Sequence, residues 1–159
     1  KINPMLRVPS MIVDGKPLSE SLAMIDFLEE YFPTPSIYPS DAFKKSKVRE
    51  ICEIINATIH PVQNSKIARF FIPEISKENI IEFRRRWIFE NLVKLRPLLF
   101  HSSFFAYGSS FTLADILIIP IYRKGLSLGL LESDLPDFQN HMIFCISHHE
   151  VRDSCPFIL

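Results

Sequence analysis

Pro33, Pro35 and Pro39 fall within seven residues of one another, and nothing else in the sequence limits the fold as strongly. Each proline fixes φ at about −65° and lacks a backbone N–H, so neither a helix nor a sheet interior can run through residues 34–40. That segment is predicted to be a semi-rigid, extended linker. It divides the chain into residues 1–33 and residues 41–159, two parts that have to fold by different rules.

The first part reads as strand. Val8-Pro9, Ser10-Met11-Ile12-Val13, Asp14-Gly15 and Lys16-Pro17-Leu18 follow one another. Asp-Gly between short apolar runs signals a β-hairpin, because both central turn residues need positive φ and these two tolerate it. Ser19-Glu20-Ser21 then precede Leu22, Ile25, Phe27, Leu28 and Tyr31, apolar residues at helical spacing. One helix is predicted there, stopped by Pro33 and Pro35.

Beyond the linker every signal is helical. Val48, Ile51, Cys52, Ile55, Ile59 and Val62 form one stripe and predict a single long helix. Ile80, Phe83, Trp87, Ile88, Leu92, Leu95 and Leu99 predict a second, from about Lys77 to Phe100. Thr112-Leu113-Ala114-Asp115 reads as a capping box with Asp in the place of Glu or Gln. The helix it opens is apolar all round, which predicts a central, buried position, and Pro120 inside it predicts a kink. Leu135-Pro136-Asp137-Phe138 opens a shorter helix carrying Phe138, Met142 and Ile146, and Ser154 to Leu159 reads as tail. The fold class is α+β: a hairpin with one helix, then an all-α part of about five helices.

Composition narrows the partners. In 159 residues, 18 Lys and Arg balance 18 Asp and Glu, so no long-range field draws the chain to nucleic acid or to an anionic membrane. The longest apolar run, from Ile116 to Tyr122, falls far short of the ~20 residues of a membrane span. Cys52, Cys145 and Cys155 are odd in number and form no C-x-x-C pair, a usage that fits a reducing compartment such as the cytoplasm.

Several residues carry possible chemistry. Val8 before Pro9 is held extended, and the bond is either an ordinary strand-opening X–Pro or cis. Glu20 and Ser21 open a helix, where they either cap it or, with the free N–H groups, hold a small anion. His60, Gln63, Asn64 and Lys66 fall near the end of the first long helix of the second part. Arg84-Arg85-Arg86, bracketed by Phe83 and Trp87 at core spacing, reads as a solvated helix face. His141, His148 and His149 supply no matched metal-ligand set, and no metal is expected.

In order, Asn3-Pro4-Met5-Leu6-Arg7-Val8-Pro9-Ser10, Asp14-Gly15, Glu20-Ser21-Leu22-Ala23-Met24-Ile25, Pro33-Thr34-Pro35, Ile59-His60-Pro61-Val62-Gln63-Asn64 and Phe111-Thr112-Leu113-Ala114-Asp115-Ile116 resemble the zeta class of glutathione transferases. The resemblance spans nearly the whole chain and is dense before Gln63. It implies that residues 1–33 are the carboxyl-terminal part of a thioredoxin-like, glutathione-binding domain, 34–40 a linker and 41–159 the helical domain. It implies a cis bond at Val8-Pro9, with Val8 facing the cysteinyl part of glutathione, and contacts from Pro9, Glu20, Ser21, His60, Asn64, Ser65 and Lys66. Thr112 and Asp115 are implied as structural. The activity implied is glutathione-dependent cis–trans isomerisation of maleylacetoacetate in phenylalanine and tyrosine breakdown, by a cytoplasmic homodimer with an apolar edge around Phe27, Tyr31 and Phe43.

Three departures stand beside it. His60 replaces the usual Gln. Ser127 replaces the Arg that meets the substrate carboxylates, with Arg123 one turn earlier as the substitute. The Ser-Ser-Cys motif that activates glutathione in the class is not in the sequence, so no catalytic residue is assigned. The resemblance places that motif upstream of the stretch matched and leaves a catalytically inactive binding or dimerisation module as the alternative.

Overall fold

Asp14 and Gly15 both take positive φ, 48° and 77°, which lets the chain reverse in two residues with the twist that paired strands require. They join β1 (Ser10–Val13) to β2 (Lys16–Ser19) in an antiparallel ladder that runs from Ser10 opposite Ser19 to Val13 opposite Lys16. The computed structural model describes residues 2–154. The chain falls into two compact units, Lys1–Ile37 and Tyr38–Leu159, each described by itself below.

In the first unit α1 (Ser21–Tyr31) follows the hairpin and packs on both strands, with Met24 on its buried side. The Phe32 N–H closes its last turn on the Leu28 carbonyl at 2.7 Å. Glu29 then holds the chain beyond it, accepting from the Ser36 hydroxyl and, at 3.2 Å, from the Ile37 N–H. The Val8-Pro9 bond is cis, as the resemblance implied, and so is Thr34-Pro35.

The second unit is helical: α2 (Ala42–Glu53), α3 (Ser65–Phe71), α4 (Lys77–Leu95), α5 (Leu113–Ser127), α6 (Pro136–Ser147) and α7 (His149–Ser154). Helix α5 packs against α2, α4 and α6, and its Leu113, Ile118 and Tyr122 meet a core that includes Ile51, Ile55, Ile88, Leu92 and Phe138. Gly125 lets the elements close in. A Cβ there would come within 2.5 Å of Leu130 Cδ1 and 3.2 Å of Ile88 Cγ2. No helix among the described residues is long and apolar enough to cross a membrane.

Four sequence expectations need correction. The stripe from Val48 to Val62 is not one α-helix: α2 gives way to a π-helical turn, Ile54–Ile59, and a short 3₁₀ turn, Pro61–Gln63. Pro61 has no N–H to continue the ladder, and the wider turn closes on a bond from the His60 N–H to the Ile55 carbonyl, 2.8 Å. The second long helix ends at Leu95, not Phe100, because Pro97 removes the next bond and a 3₁₀ turn takes over. Helix α5 is central but not buried all round, since Ile116 and Pro120 are exposed. A further helix, α7, runs up to Ser154; the rest of the expected tail lies outside the described residues.

The start of α5 is held from inside. Thr112 is extended, at φ −137° and ψ 175°, and its N–H and hydroxyl both donate to Asp115 Oδ2, at 2.7 and 2.9 Å. Asp115 Oδ1 accepts from the Ala106 N–H at 2.7 Å. The carboxylate is fully buried, and these three bonds to a charged acceptor replace its water. They also tie residues 99–111 to the first turn of α5. Asp115→Ala leaves two buried N–H groups without partners and is expected to lower stability by about 2–4 kcal/mol. Urea midpoints of the two proteins measure this, and coincident midpoints would show that the carboxylate is not the tie.

Candidate functional site

The register of the hairpin gathers the first group of residues. Ser10 opposite Ser19 is the last pair at its open end, and their hydroxyl oxygens lie 3.2 Å apart. One step off that pair, Pro9 and Val8 leave one strand while Glu20 and Ser21 leave the other, so all four residues flank the same end of the sheet. Val8 is 92% exposed. Ahead of it Asn3, buried, shapes the approach: its Nδ2 donates to the Arg7 carbonyl at 3.0 Å, and its Oδ1 accepts from the Met5 N–H at 2.8 Å. The Leu6 N–H returns to the Asn3 carbonyl at 3.1 Å, with Leu6 at φ 55°. Asn3 carries no role in the sequence reading beyond its place in the motif; Asn-Pro as a turn opener was the signal that could have found it.

Glu20 stands at φ 72°, ψ 122°, a conformation rarely held by a residue other than glycine. At the N-cap of α1 its carboxylate makes no capping bond. No hydrogen bond is found for the Ser21 hydroxyl among the described residues, and the first backbone bond into this turn is Met24 N–H to the Glu20 carbonyl, 3.0 Å. The N–H groups of Ser21, Leu22 and Ala23 therefore open at a helix start, where the backbone dipole favours negative charge. Of the two readings of this pair, capping is the one the geometry does not bear out.

The residues on the second unit are placed differently. His60 is exposed and follows directly on the π-helical turn. Asn64 is engaged as a cap: its Oδ1 accepts from the Lys66 N–H at 3.0 Å and so opens α3. Lys66 is exposed. Ser65 begins α3, and its side chain lies outside the described residues. Arg123 is half-buried on α5; one turn on, Ser127 is exposed and turns its hydroxyl back to the Lys124 carbonyl at 2.8 Å. The basic run splits. Arg85 pairs with Glu82 and Arg86 with Glu90, on the solvated face expected, whereas the Arg84 Nε reaches Gln63 Oε1 at 3.4 Å. Beside it the Trp87 indole donates to the Thr58 carbonyl in the π-helical turn, at 3.1 Å.

A polar group that the sequence reading passed over sits in the core of the second unit. His141 and Cys145, one turn apart on α6, face the Asp115 carboxylate, and all three are buried. The His141 Nδ1 donates to the Phe104 carbonyl at 2.7 Å, while its Nε2 has no partner among the described residues. Burial pushes the imidazole below its ordinary range, against the opposing pull of that carbonyl and of Asp115. Burial also pushes the Cys145 thiol well above the usual range. The signal available was the spacing of His141 and Cys145, which the search for histidine sets alone does not catch.

No protein-family model matches the chain. It is 31% identical over 164 residues to the probable maleylacetoacetate isomerase 1 of Drosophila melanogaster, an alignment covering 98% of this chain and 65% of that protein. It is 31% identical over 157 residues to a zeta-class glutathione S-transferase of Euphorbia esula, covering 89% of this chain and 70% of that one. The chain thus spans about two thirds of the length of these relatives. Among solved structures, the maleylacetoacetate isomerase of Anaeromyxobacter dehalogenans with glutathione bound in its active site superposes with a TM-score of 0.83 at 26% identity, over 99% of this chain and 74% of that one.

Because the Ser21 hydroxyl holds no bond among the described residues, Ser21→Ala is expected to change stability by less than about 0.5 kcal/mol. Asn64→Ala, which removes an engaged cap, is expected to cost about 1 kcal/mol. Denaturation of the two variants side by side checks the contrast. A Ser21→Ala loss as large as that of Asn64→Ala would make this serine a cap.

Proposed function

The chain belongs to the zeta class of glutathione S-transferases, and from that premise we propose that it binds glutathione through the open end of its hairpin and serves the cis–trans isomerisation of a maleyl-type substrate, with maleylacetoacetate as the leading one. The observation that carries this is the uncommitted pair at the start of α1. Glu20 is held in an unfavourable conformation without capping the helix, and the Ser21 hydroxyl, beside open N–H groups, has no hydrogen bond among the described residues. A γ-glutamyl group presents a carboxylate and an ammonium within a few ångströms. It needs a hydroxyl with helix-start N–H groups for the first and an anionic acceptor for the second. Ser21 and Glu20 supply that pair.

In this reading residues 1–33 form the carboxyl-terminal part of the glutathione-binding domain and residues 41–159 the helical domain. Val8 offers its backbone to the cysteinyl part of the tripeptide, and Pro9 fixes the turn that presents it. On the helical unit His60, Ser65 and Lys66 are further glutathione contacts, and Asn64 contributes chiefly by opening α3. Arg123 takes a substrate carboxylate in place of the residue that Ser127 replaces. Bound glutathione supplies a thiol that adds reversibly to the cis double bond and lets it turn to trans. The tasks left to this chain are to fix the tripeptide at its γ-glutamyl end and to hold the substrate's negative charge. Tyr31 and Phe43, 67% and 72% exposed on their separate units, support a homodimer that covers them. The cysteine usage supports a cytoplasmic setting.

Calorimetric titration of glutathione tests the reading. Ser21→Ala is expected to weaken binding ten- to a hundredfold, the loss of one hydrogen bond to a charged group, about 1.5–3 kcal/mol. Glu20→Gln should weaken it less, since an amide oxygen still accepts from the ammonium. Equal affinity in all three proteins would remove the γ-glutamyl assignment. Light scattering is expected to give twice the 18.5 kDa chain mass, and a monomer at every concentration would remove the dimer.

A further inference from the structure

Asp115 Oδ1, His141 Nδ1 and Cys145 Sγ form a closed triangle with sides of 3.5, 3.7 and 3.9 Å. The Sγ to Oδ1 side is the longest, and the imidazole's nearer partner is the Phe104 carbonyl. As a hydrogen-bonded set the triangle is therefore poor. As a set of ligands it is well proportioned. The point equidistant from the three atoms lies about 2.1 Å from each, the bond length of Zn²⁺ to nitrogen and oxygen and about 0.2 Å short of that to thiolate sulfur. We infer that Asp115, His141 and Cys145 form a closed structural site for a zinc-type divalent cation inside the helical unit.

The surroundings support this independently of the glutathione reading. His141 and Cys145 share one face of α6 at i and i+4, and Asp115 comes from the first turn of α5, so the ion would join two helices that already pack together. The carboxylate is oriented from behind: Thr112 engages Oδ2 twice, Ala106 engages Oδ1 once, and Oδ1 keeps a second lone pair. Such outer bonds fix a ligand's direction. The imidazole can make the exchange by changing tautomer, at the cost of a buried N–H without an acceptor, which metal binding has to offset. Its proton moves from Nδ1 to Nε2, an atom with no partner among the described residues, and the Nδ1 lone pair takes the ion. The Phe104 carbonyl, 2.7 Å from Nδ1 and released from its donor, has to shift aside to admit the ion and can then serve as a fourth ligand, and the thiol proton leaves to solvent. One sulfur, one nitrogen and two oxygens suit Zn²⁺ or Co²⁺, whereas Mg²⁺ and Ca²⁺ call for oxygen alone. With all three side chains at 1% exposure or less, no position is open to water or substrate, which makes the site structural and not catalytic.

The test uses the chain expressed in medium supplemented with Zn²⁺ or Co²⁺ and then desalted. One equivalent of metal per chain is expected, with a thiolate-to-cobalt charge-transfer band in the Co²⁺ protein and a higher melting temperature than after EDTA treatment. Cys145→Ala and His141→Phe should lose the band and bind metal at least tenfold more weakly. Cys52→Ala, which alters a buried thiol elsewhere in the unit, should keep both. Wild-type protein that carries no metal overturns the proposal even if a variant fails to fold, and so does a band that survives Cys145→Ala.

Discussion

A carboxylate without water must be surrounded by donors or become neutral, and Asp115 meets that condition with three hydrogen bonds from two stretches of chain. Everything around it in the helical unit is placed accordingly. Residues 99–111 have little regular structure of their own; His141 holds the Phe104 carbonyl, and Asp115 holds them at Ala106 and fixes the adjoining Thr112. Helix α5 starts there and runs through the core against α2, α4 and α6, and at Gly125 an added Cβ would press on Leu130 and on Ile88 of α4. The position of α5 is thus set at one end by charge and along its length by packing.

The first unit is organised by backbone geometry instead. Four non-glycine residues take positive φ in the described chain, and three of them, Leu6, Asp14 and Glu20, lie in its first twenty residues. Asp14 is accounted for by the hairpin turn and Leu6 by the Asn3 loop. The Glu20 carbonyl accepts from the Met24 N–H, but its side chain makes no capping bond. A strained residue whose side chain caps nothing is a place where a ligand can act. Asn64 makes the opposite case: its side chain is engaged in a cap.

Local rules read well from the sequence wherever one or two residues decide the outcome. Asp14-Gly15 named the turn, Thr112 and Asp115 named the start of α5, and Pro33 with Pro35 marked the end of α1. Longer-range choices were less legible. The apolar stripe from Val48 to Ile59 is buried as its spacing implies, yet the same stripe is compatible with an α-helix and with one that widens by a residue. Pro61 decided between them. Pro97 likewise ended α4 inside an apolar run that continues beyond it. The candidate glutathione residues came from an ordered resemblance, and the structure added what periodicity cannot carry: which side chains are free and which are engaged. The core polar group was missed because His141 and Cys145 meet Asp115 only once α5 and α6 are packed.

The bond from Trp87 to the Thr58 carbonyl has a practical meaning of its own. Trp87 is the one tryptophan in the chain, and its indole is fastened to the stretch of backbone where α2 widens and turns toward His60. The tryptophan fluorescence of the whole molecule therefore comes from a single ring, half-buried beside Phe83 and polarised by one carbonyl. Its emission reports on that joint and on little else. Loosening of the widened turn would register optically while the distant end of α5 stayed silent, so the protein carries a built-in gauge of the segment from which His60 projects.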